Sequence, residues 1–325
     1  MKIRFYTQSW PIRGSFTISR GSRTQADVVI VELEKRGVVG RGECVPYSRY
    51  GESVTSVLSQ LEALVPLLEA GLDRFSIQEI LPAGAARNAV DCALWDLECK
   101  AAGVSIWQRL RRYPPQPLVS AYTLSLDSPD MMEQAARDNV QFPILKLKMG
   151  GEGDLERVAA VRRGAPTAKI ILDANESWTP ELYQELVPEL VKLNVAMIEQ
   201  PLPAGDDEVL AELPHPIPLC ADESCHDRKS LPALRGRYEM VNIKMDKTGG
   251  LTEALSLKYE ARKEGFQVMV GCMLATSLAM APAFVVAQGA QVVDLDGPLL
   301  LDKDRENGFK FIQQAMQPFR PQLWG

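Results

Sequence analysis

From residue 117 onward, short apolar runs alternate with longer segments whose apolar positions recur at helical spacing, a pattern that predicts a parallel sheet with helices between its strands. The strand candidates are Leu118–Leu124, Ile144–Lys148, Lys169–Asp173, Ala196–Glu199, Pro218–Asp222, Val241–Lys244, Gln267–Cys272 and Gln291–Asp296. Thr123, Lys148, Asp173, Glu199, Asp222, Lys244, Cys272 and Asp296 stand at or beside their ends, at intervals of 25, 25, 26, 23, 22, 28 and 24 residues. Each interval has room for one strand and one helix. Eight such units predict a TIM-like barrel, which gathers its chemistry at the C-terminal ends of its strands. A single polar residue closing a strand is ordinary, but six of these eight are charged.

Residues 1–116 read as a separate α+β unit, with strands near Ile3–Trp10 and Val28–Leu33 and helices near Ser53–Ala70 and Ala85–Ala102. It ends in Tyr113-Pro-Pro-Gln-Pro117, which resists helix and suits a boundary. The barrel is expected over residues 117–300. The tail, residues 301–325, is too short for a domain and is expected to pack back on the first unit. Met269–Ala287 carries no charge, yet Gly271, Thr276, Ser277 and Pro282 divide it into a strand, Val268–Leu274, and a short buried helix, not a membrane span.

Composition narrows the function. A chain of 325 residues, 46% hydrophobic, can bury a large core, and its net charge of −6 offers no basic surface to nucleic acid or anionic lipid. Neither partner is expected. The start, Met1 to Trp10, lacks the apolar core of an export signal, so a cytoplasmic location is expected. The six cysteines form no C-x-x-C pair and read as buried, reduced thiols. With only His215 and His226 present, histidine-rich metal sites are excluded. The serine-hydrolase elbow, the P-loop and the dinucleotide fingerprint are all missing.

Asp173, Glu199 and Asp222 close three successive strands, so their carboxylates should converge at the barrel mouth, where they repel unless a cation is present. Oxygen ligands without His or Cys favour Mg²⁺ or Mn²⁺. N-capping of the following helices is the competing reading for any one acid. Lys146 and Lys148 share one face of a strand whose other face lies under helices, which directs both into the mouth. Lys244 lies four strands after Lys148, directly across an eight-stranded ring. Two lysines so placed could remove a proton from one face of a carbon and return one on the other, provided that burial and neighbouring cations lower their pKa values.

K-x-K (Lys146, Lys148), D-A-N (Asp173 to Asn175), E-Q-P (Glu199 to Pro201), A-D-E-S (Ala221 to Ser224) and N-I-K-x-x-K-x-G-G (Asn242 to Gly250) together resemble the enolase superfamily, in its muconate-lactonizing-like branch. The likeness spans nearly the whole chain. It implies a (β/α)7β barrel with an N-terminal α+β cap, one Mg²⁺ per active site on Asp173, Glu199 and Asp222, Lys148 and Lys244 as the acid/base pair, and no other cofactor. Asp294-Leu-Asp296 resembles the feature by which dipeptide epimerases hold a free amino end, and Ile18-Ser-Arg20-Gly-Ser-Arg23 the loop whose arginine meets the second residue's side chain. Arg23 is favoured over Arg20. Thr123, Lys146, Cys272 and Leu274 complete the expected substrate contacts. The resemblance implies epimerisation of L-Ala-D/L-Glu dipeptides from cell-wall turnover. The alternatives are a relative acting on o-succinylbenzoate or N-succinylamino acids, which have no free ammonium, and a barrel that binds a metabolite without catalysis. A homo-oligomer is compatible with the sequence, which does not set the oligomeric state.

Overall fold

The computed structural model describes residues 1–111 and 114–325. Its eight barrel strands are Tyr122–Leu124, Ile144–Lys148, Lys169–Asp173, Val195–Glu199, Leu219–Ala221, Met240–Ile243, Gln267–Val270 and Val292–Val293, each parallel to its neighbour in chain order. Ala121 N donates to Val293 O over 2.8 Å and joins the last strand to the start of the first. Helices Pro129–Asp138, Asp154–Gly164, Pro180–Lys192, Leu251–Lys263 and Ser277–Ala287 fill five of the seven connections. The fourth carries the turn Glu208–Glu212, and the fifth the turn Arg228–Ser230 and the short helix Leu231–Leu234.

The two-residue repeat of a strand decides which side chains reach the mouth. Leu145, Leu147, Ile170, Leu172, Ile198, Leu219, Val241, Ile243, Val268 and Val270 face out into the core beneath the helices. Ala121, Ile171, Met197, Cys220, Met240, Met269 and Val292 face in and plug the barrel floor. One step of two residues further along, the inward set becomes Thr123, Asp173, Glu199, Asp222, Asn242, Gly271 and Asp294. The same parity carries Ile144 to Lys146 and Lys148, so an apolar layer is followed directly by a polar one.

The first unit is a three-stranded antiparallel sheet of Lys2–Ile18, Gly21–Lys35 and Val38–Cys44. Its first two strands run well past the expected bounds, and their turn at Ser19 and Arg20 reaches the barrel mouth. The third strand was not expected. Gly40 and Gly42 lower its strand propensity, yet they let helix Ala85–Ala102 lie directly on it: a Cβ at Gly42 would fall onto the carbonyl of Ala89, and one at Gly40 onto Ala93 and Leu97. Gly42→Ala should therefore lower unfolding free energy by about 1–3 kcal/mol, read from the denaturant midpoint; an unchanged midpoint would contradict this packing.

Leu118–Val119, expected to open the first barrel strand, pairs instead with Ala315–Met316, because the chain turns away from the barrel before Ser120. Tyr113, first residue of the expected linker, lies outside the described residues, and Pro114–Pro117 has no regular structure. The tail ends against the first unit: Trp324 donates to Cys92 O (3.1 Å), Gly325 N to Asp96 (2.7 Å), and Arg41 to Gln322 O (2.7 Å). The uncharged stretch near residue 270 is the strand Gln267–Val270 and the helix Ser277–Ala287. No described helix is long and apolar enough to cross a membrane.

Candidate active site

The inward polar layer lines a cavity of about 330 Å³ between the barrel mouth and the first unit. Lys148 and Lys244 enter it from the second and sixth strands, on opposite sides of the ring, each less than a tenth exposed. Lys244 points inward: a Cβ at Gly271, just past the seventh strand, would sit 3.1 Å from its Cε, so glycine there makes room for it. Between the two amines lie Asp173, Glu199 and Asp222, all buried. The five residues expected at the centre are thus brought together.

Ion pairs knit this centre. Lys148 Nζ donates to Asp173 Oδ2 (2.5 Å), and Lys244 Nζ to Asp222 Oδ2 (2.6 Å). Lys146 Nζ lies 3.1 Å from Asp173 Oδ2, 2.7 Å from Glu199 Oε2 and 2.7 Å from Asp294 Oδ2. Lys146, expected as a substrate contact, lines the cavity and is ion-paired with all three of these acids. Lys247 Nζ donates to Asp222 Oδ1 (2.6 Å) and Asn242 O (2.9 Å), and Asn242 Nδ2 to Glu199 Oε1 (2.7 Å).

At Lys146 and Lys244 the neighbouring acids act against the lowered pKa values expected of the lysines. Burial does pull Lys146 down, but Asp173, Asp294 and Glu199 more than reverse it and hold it well above the lysine range. Asp222 and Glu199 likewise outweigh burial at Lys244. Among the acids, burial opposes ionisation of Asp173, but Lys146, Lys148 and Lys244 keep its pKa low; Lys244 and Lys247 do the same for Asp222. Glu199 is pushed up to about 7 by burial and by Asp173.

Three buried carboxylates with no histidine or thiolate beside them form a hard-oxygen donor set that suits Mg²⁺. Around them six acids (Asp173, Glu199, Asp222, Glu223, Asp294, Asp296) are gathered with four amines (Lys146, Lys148, Lys244, Lys247) and Arg20. Glu199 Oε2 also lacks a hydrogen bond, its contact with Lys146 being poorly aligned for one. As they stand, however, no three acids among the described residues are gathered into an ion-holding cage. Amines take the space: Lys146 between Asp173 and Glu199, and Lys244 with Lys247 against Asp222.

Asp294 and Asp296 line the same cavity, but beyond the end of the eighth strand at Val293. Asp294 Oδ1 is buried without a hydrogen-bond partner. Asp296 accepts from Thr123 N (2.7 Å) and does not cap the short helix that follows it. Burial and Asp294 push its pKa up to about 7. Thr123, Cys272 and Leu274, expected as substrate contacts, line the cavity. All six thiols are free, five of them buried; Cys272 is the exception, half-buried because it faces the cavity.

The two arginines separate cleanly. Arg20 is tied to Asn175 O (3.0 Å), Glu176 (3.2 Å), Tyr47 (3.1 Å) and Glu223 (2.9 Å). Arg23 is exposed on the cavity wall, its guanidinium 5.5 Å from the centre of the Tyr47 ring. Asn175, Lys247 and Asn242 had no role assigned, although they stand within the quoted motifs. Tyr47 and Tyr50, cavity residues from the first unit, also had no role assigned.

Residues 130–314 match the family model described as enolase C-terminal domain-like, and residues 1–110 the mandelate racemase/muconate lactonizing enzyme N-terminal domain. The chain is 49% identical to L-Ala-D/L-Glu epimerase of Escherichia coli K12, covering 95% of this chain and 97% of that one. It is 44% identical to N-acetyl-D-glutamate racemase of a Pseudoalteromonas species, covering 92% and 95%. Among solved structures, an enolase family member from Agrobacterium tumefaciens with homology to dipeptide epimerases, holding sodium and L-Ala-L-Glu, superposes with a TM-score of 0.98 at 50% identity, over 99% of each chain.

Proposed function

Because this chain belongs to the enolase superfamily, with the N-terminal domain of mandelate racemase and muconate lactonizing enzyme, we propose that it is an Mg²⁺-dependent dipeptide epimerase that inverts the second residue of L-Ala-D/L-Glu. The observation that carries this reading is the placement of two buried amines, Lys148 and Lys244, on opposite sides of one ring with three buried acids between them.

Asp173, Glu199 and Asp222 would hold the ion. When bound there, a divalent cation would offset the charge of these acids and supply electrostatic stabilisation for negative charge developing on the substrate carboxylate. The protein's own part is to place that carbon between the two amines. One lysine takes the proton from its face and the other, protonated, delivers one to the opposite face. Asp294 and Asp296 supply negative charge for the substrate ammonium, with the unpartnered Asp294 Oδ1 available to accept from it. Arg23 carries the only uncommitted guanidinium of its loop and matches a glutamate side chain. The turn at Ser19 and Arg20, together with Tyr47 and Tyr50, covers the cavity and limits water. We further propose that the enzyme works in the cytoplasm on peptides from cell-wall turnover.

Incubating the enzyme with L-Ala-L-Glu and Mg²⁺ should yield L-Ala-D-Glu, seen by chiral chromatography; no epimer would end the reading. Arg23→Met should raise KM for this dipeptide about 10- to 100-fold, the loss of one charged hydrogen-bonded contact, with kcat little changed. An unaltered KM would remove Arg23 from the site. The relative that racemises N-acetyl-D-glutamate favours a second reading, an N-acylamino acid racemase. That substrate has no ammonium, so under this reading Asp294→Asn and Asp296→Asn would leave turnover intact, whereas dipeptide turnover should collapse.

A further inference from the structure

Arg20 is tied down at the cavity edge by Glu176, Glu223 and the Asn175 carbonyl of the barrel loops and by the Tyr47 hydroxyl, which leaves the purpose of its pairing with the buried Glu223 to be explained. Its Nη2 donates to Glu223 Oε1 (2.9 Å), a carboxylate that is nearly inaccessible. Asn175 Nδ2 donates to that same oxygen (3.5 Å), and Asn175 Oδ1 accepts from Lys148 Nζ (3.3 Å). This is the only orientation of the Asn175 amide that satisfies both neighbours, because a flip would set NH₂ against ammonium and C=O against carboxylate. Asn175 adopts a left-handed backbone (φ 45°), which asparagine tolerates better than most residues. In that conformation its carbonyl faces outward to Ser19 Oγ (3.3 Å) and Arg20 Nη1 (3.0 Å) while its side chain faces inward to Lys148. Arg20 thus grips both ends of the residue that touches the Lys148 amine. From the same hairpin, the Phe16 ring lies 5.7 Å from Lys148 Nζ.

Building on the two-lysine reading above, we propose that Arg20 is a positioning residue for Lys148, acting through Glu223 and Asn175, so that seating of the first unit's hairpin aligns one of the two bases. Lys244 has no part in this chain; it is held by Asp222. The consequence is an asymmetry. Loss of Arg20 leaves Glu223 buried without its cation, frees the Asn175 amide and loosens Lys148, while Lys244 keeps its partner.

The test is α-proton exchange in D₂O, measured separately on L-Ala-L-Glu and L-Ala-D-Glu at saturating substrate with the Mg²⁺-loaded enzyme. Lys148→Met first identifies the epimer that relies on Lys148. Arg20→Met should slow exchange of that epimer about 10- to 100-fold, the cost of a displaced catalytic group, and change the other by about twofold or less. Glu223→Gln should show the same asymmetry, and Arg20→Lys should restore part of the lost rate. A looser hairpin alone would shift KM for both epimers together. Equal slowing of both, slowing of the other epimer, or no change would overturn the proposal. Wild-type enzyme that exchanges neither epimer would sink the dipeptide reading instead, and a crystal structure of Arg20→Met would then decide: displacement of Lys148 Nζ from Asn175 Oδ1 is expected, and an unchanged contact overturns the role of Arg20.

Discussion

Lys148→Met and Lys244→Met should each abolish inversion, lowering epimerisation by about 10²–10⁴-fold, while each retains proton exchange on one epimer only. The two amines stand on opposite sides of the ring, so each would face a different side of a carbon held between them. Removing one leaves the other able to take and return a proton on its own side without changing configuration. The pattern must be reciprocal, the epimer that survives in one variant being the one lost in the other. Deuterium uptake by NMR on each epimer reads this directly. Loss of both exchanges in either variant, or retained inversion, would contradict the assignment. Because both lysines are ion-paired with buried acids, each variant also needs its melting temperature measured, so that unfolding is not mistaken for lost chemistry.

Stripping divalent cations should be equally damaging. Several kcal/mol of charge stabilisation at the substrate carboxylate corresponds to about 10³-fold in rate, and adding Mg²⁺ back to the chelated protein should restore it. A second readout does not depend on turnover. Binding to the folded state alone raises stability by about 2.7 kcal/mol at one hundred times Kd, so the melting temperature should rise with added Mg²⁺. Glu199→Gln should remove that rise, because Glu199 is the acid with the weakest hold on a lysine. Full activity after exhaustive chelation, or an unaltered response in Glu199→Gln, would remove these three acids as the ion site.

Much of this site was legible in the sequence because a barrel turns spacing into geometry. The near-regular interval between strand ends placed Lys148, Asp173, Glu199, Asp222 and Lys244 in one ring, and the structure adds the reason they face inward: each lies an even number of residues past an inward-facing floor residue, as Asp173 does past Ile171 and Glu199 past Met197. Features that depend on contact between distant segments were not legible. The strand Val38–Cys44 was hidden by the two glycines that its packing against a helix requires. Leu118–Val119 has strand character, but nothing local tells a barrel strand from a pairing with the tail. Arg20 and Arg23 sit three residues apart in one loop, and only the positions of Glu223 and Asn175 separate the committed residue from the free one. The charge partners of Lys146, namely Asp173, Glu199 and Asp294, come from distant segments, so its spacing to Lys148 alone did not reveal them.

The most direct single measurement is the isotope content of the first product formed from protiated L-Ala-L-Glu in D₂O. If one lysine removes the proton and a different one delivers its replacement, the L-Ala-D-Glu formed in the earliest turnovers carries deuterium at the inverted carbon in every molecule. Product that retains the substrate's original hydrogen there would mean that one group serves both faces, and the opposed pair of Lys148 and Lys244 would not be the catalytic device.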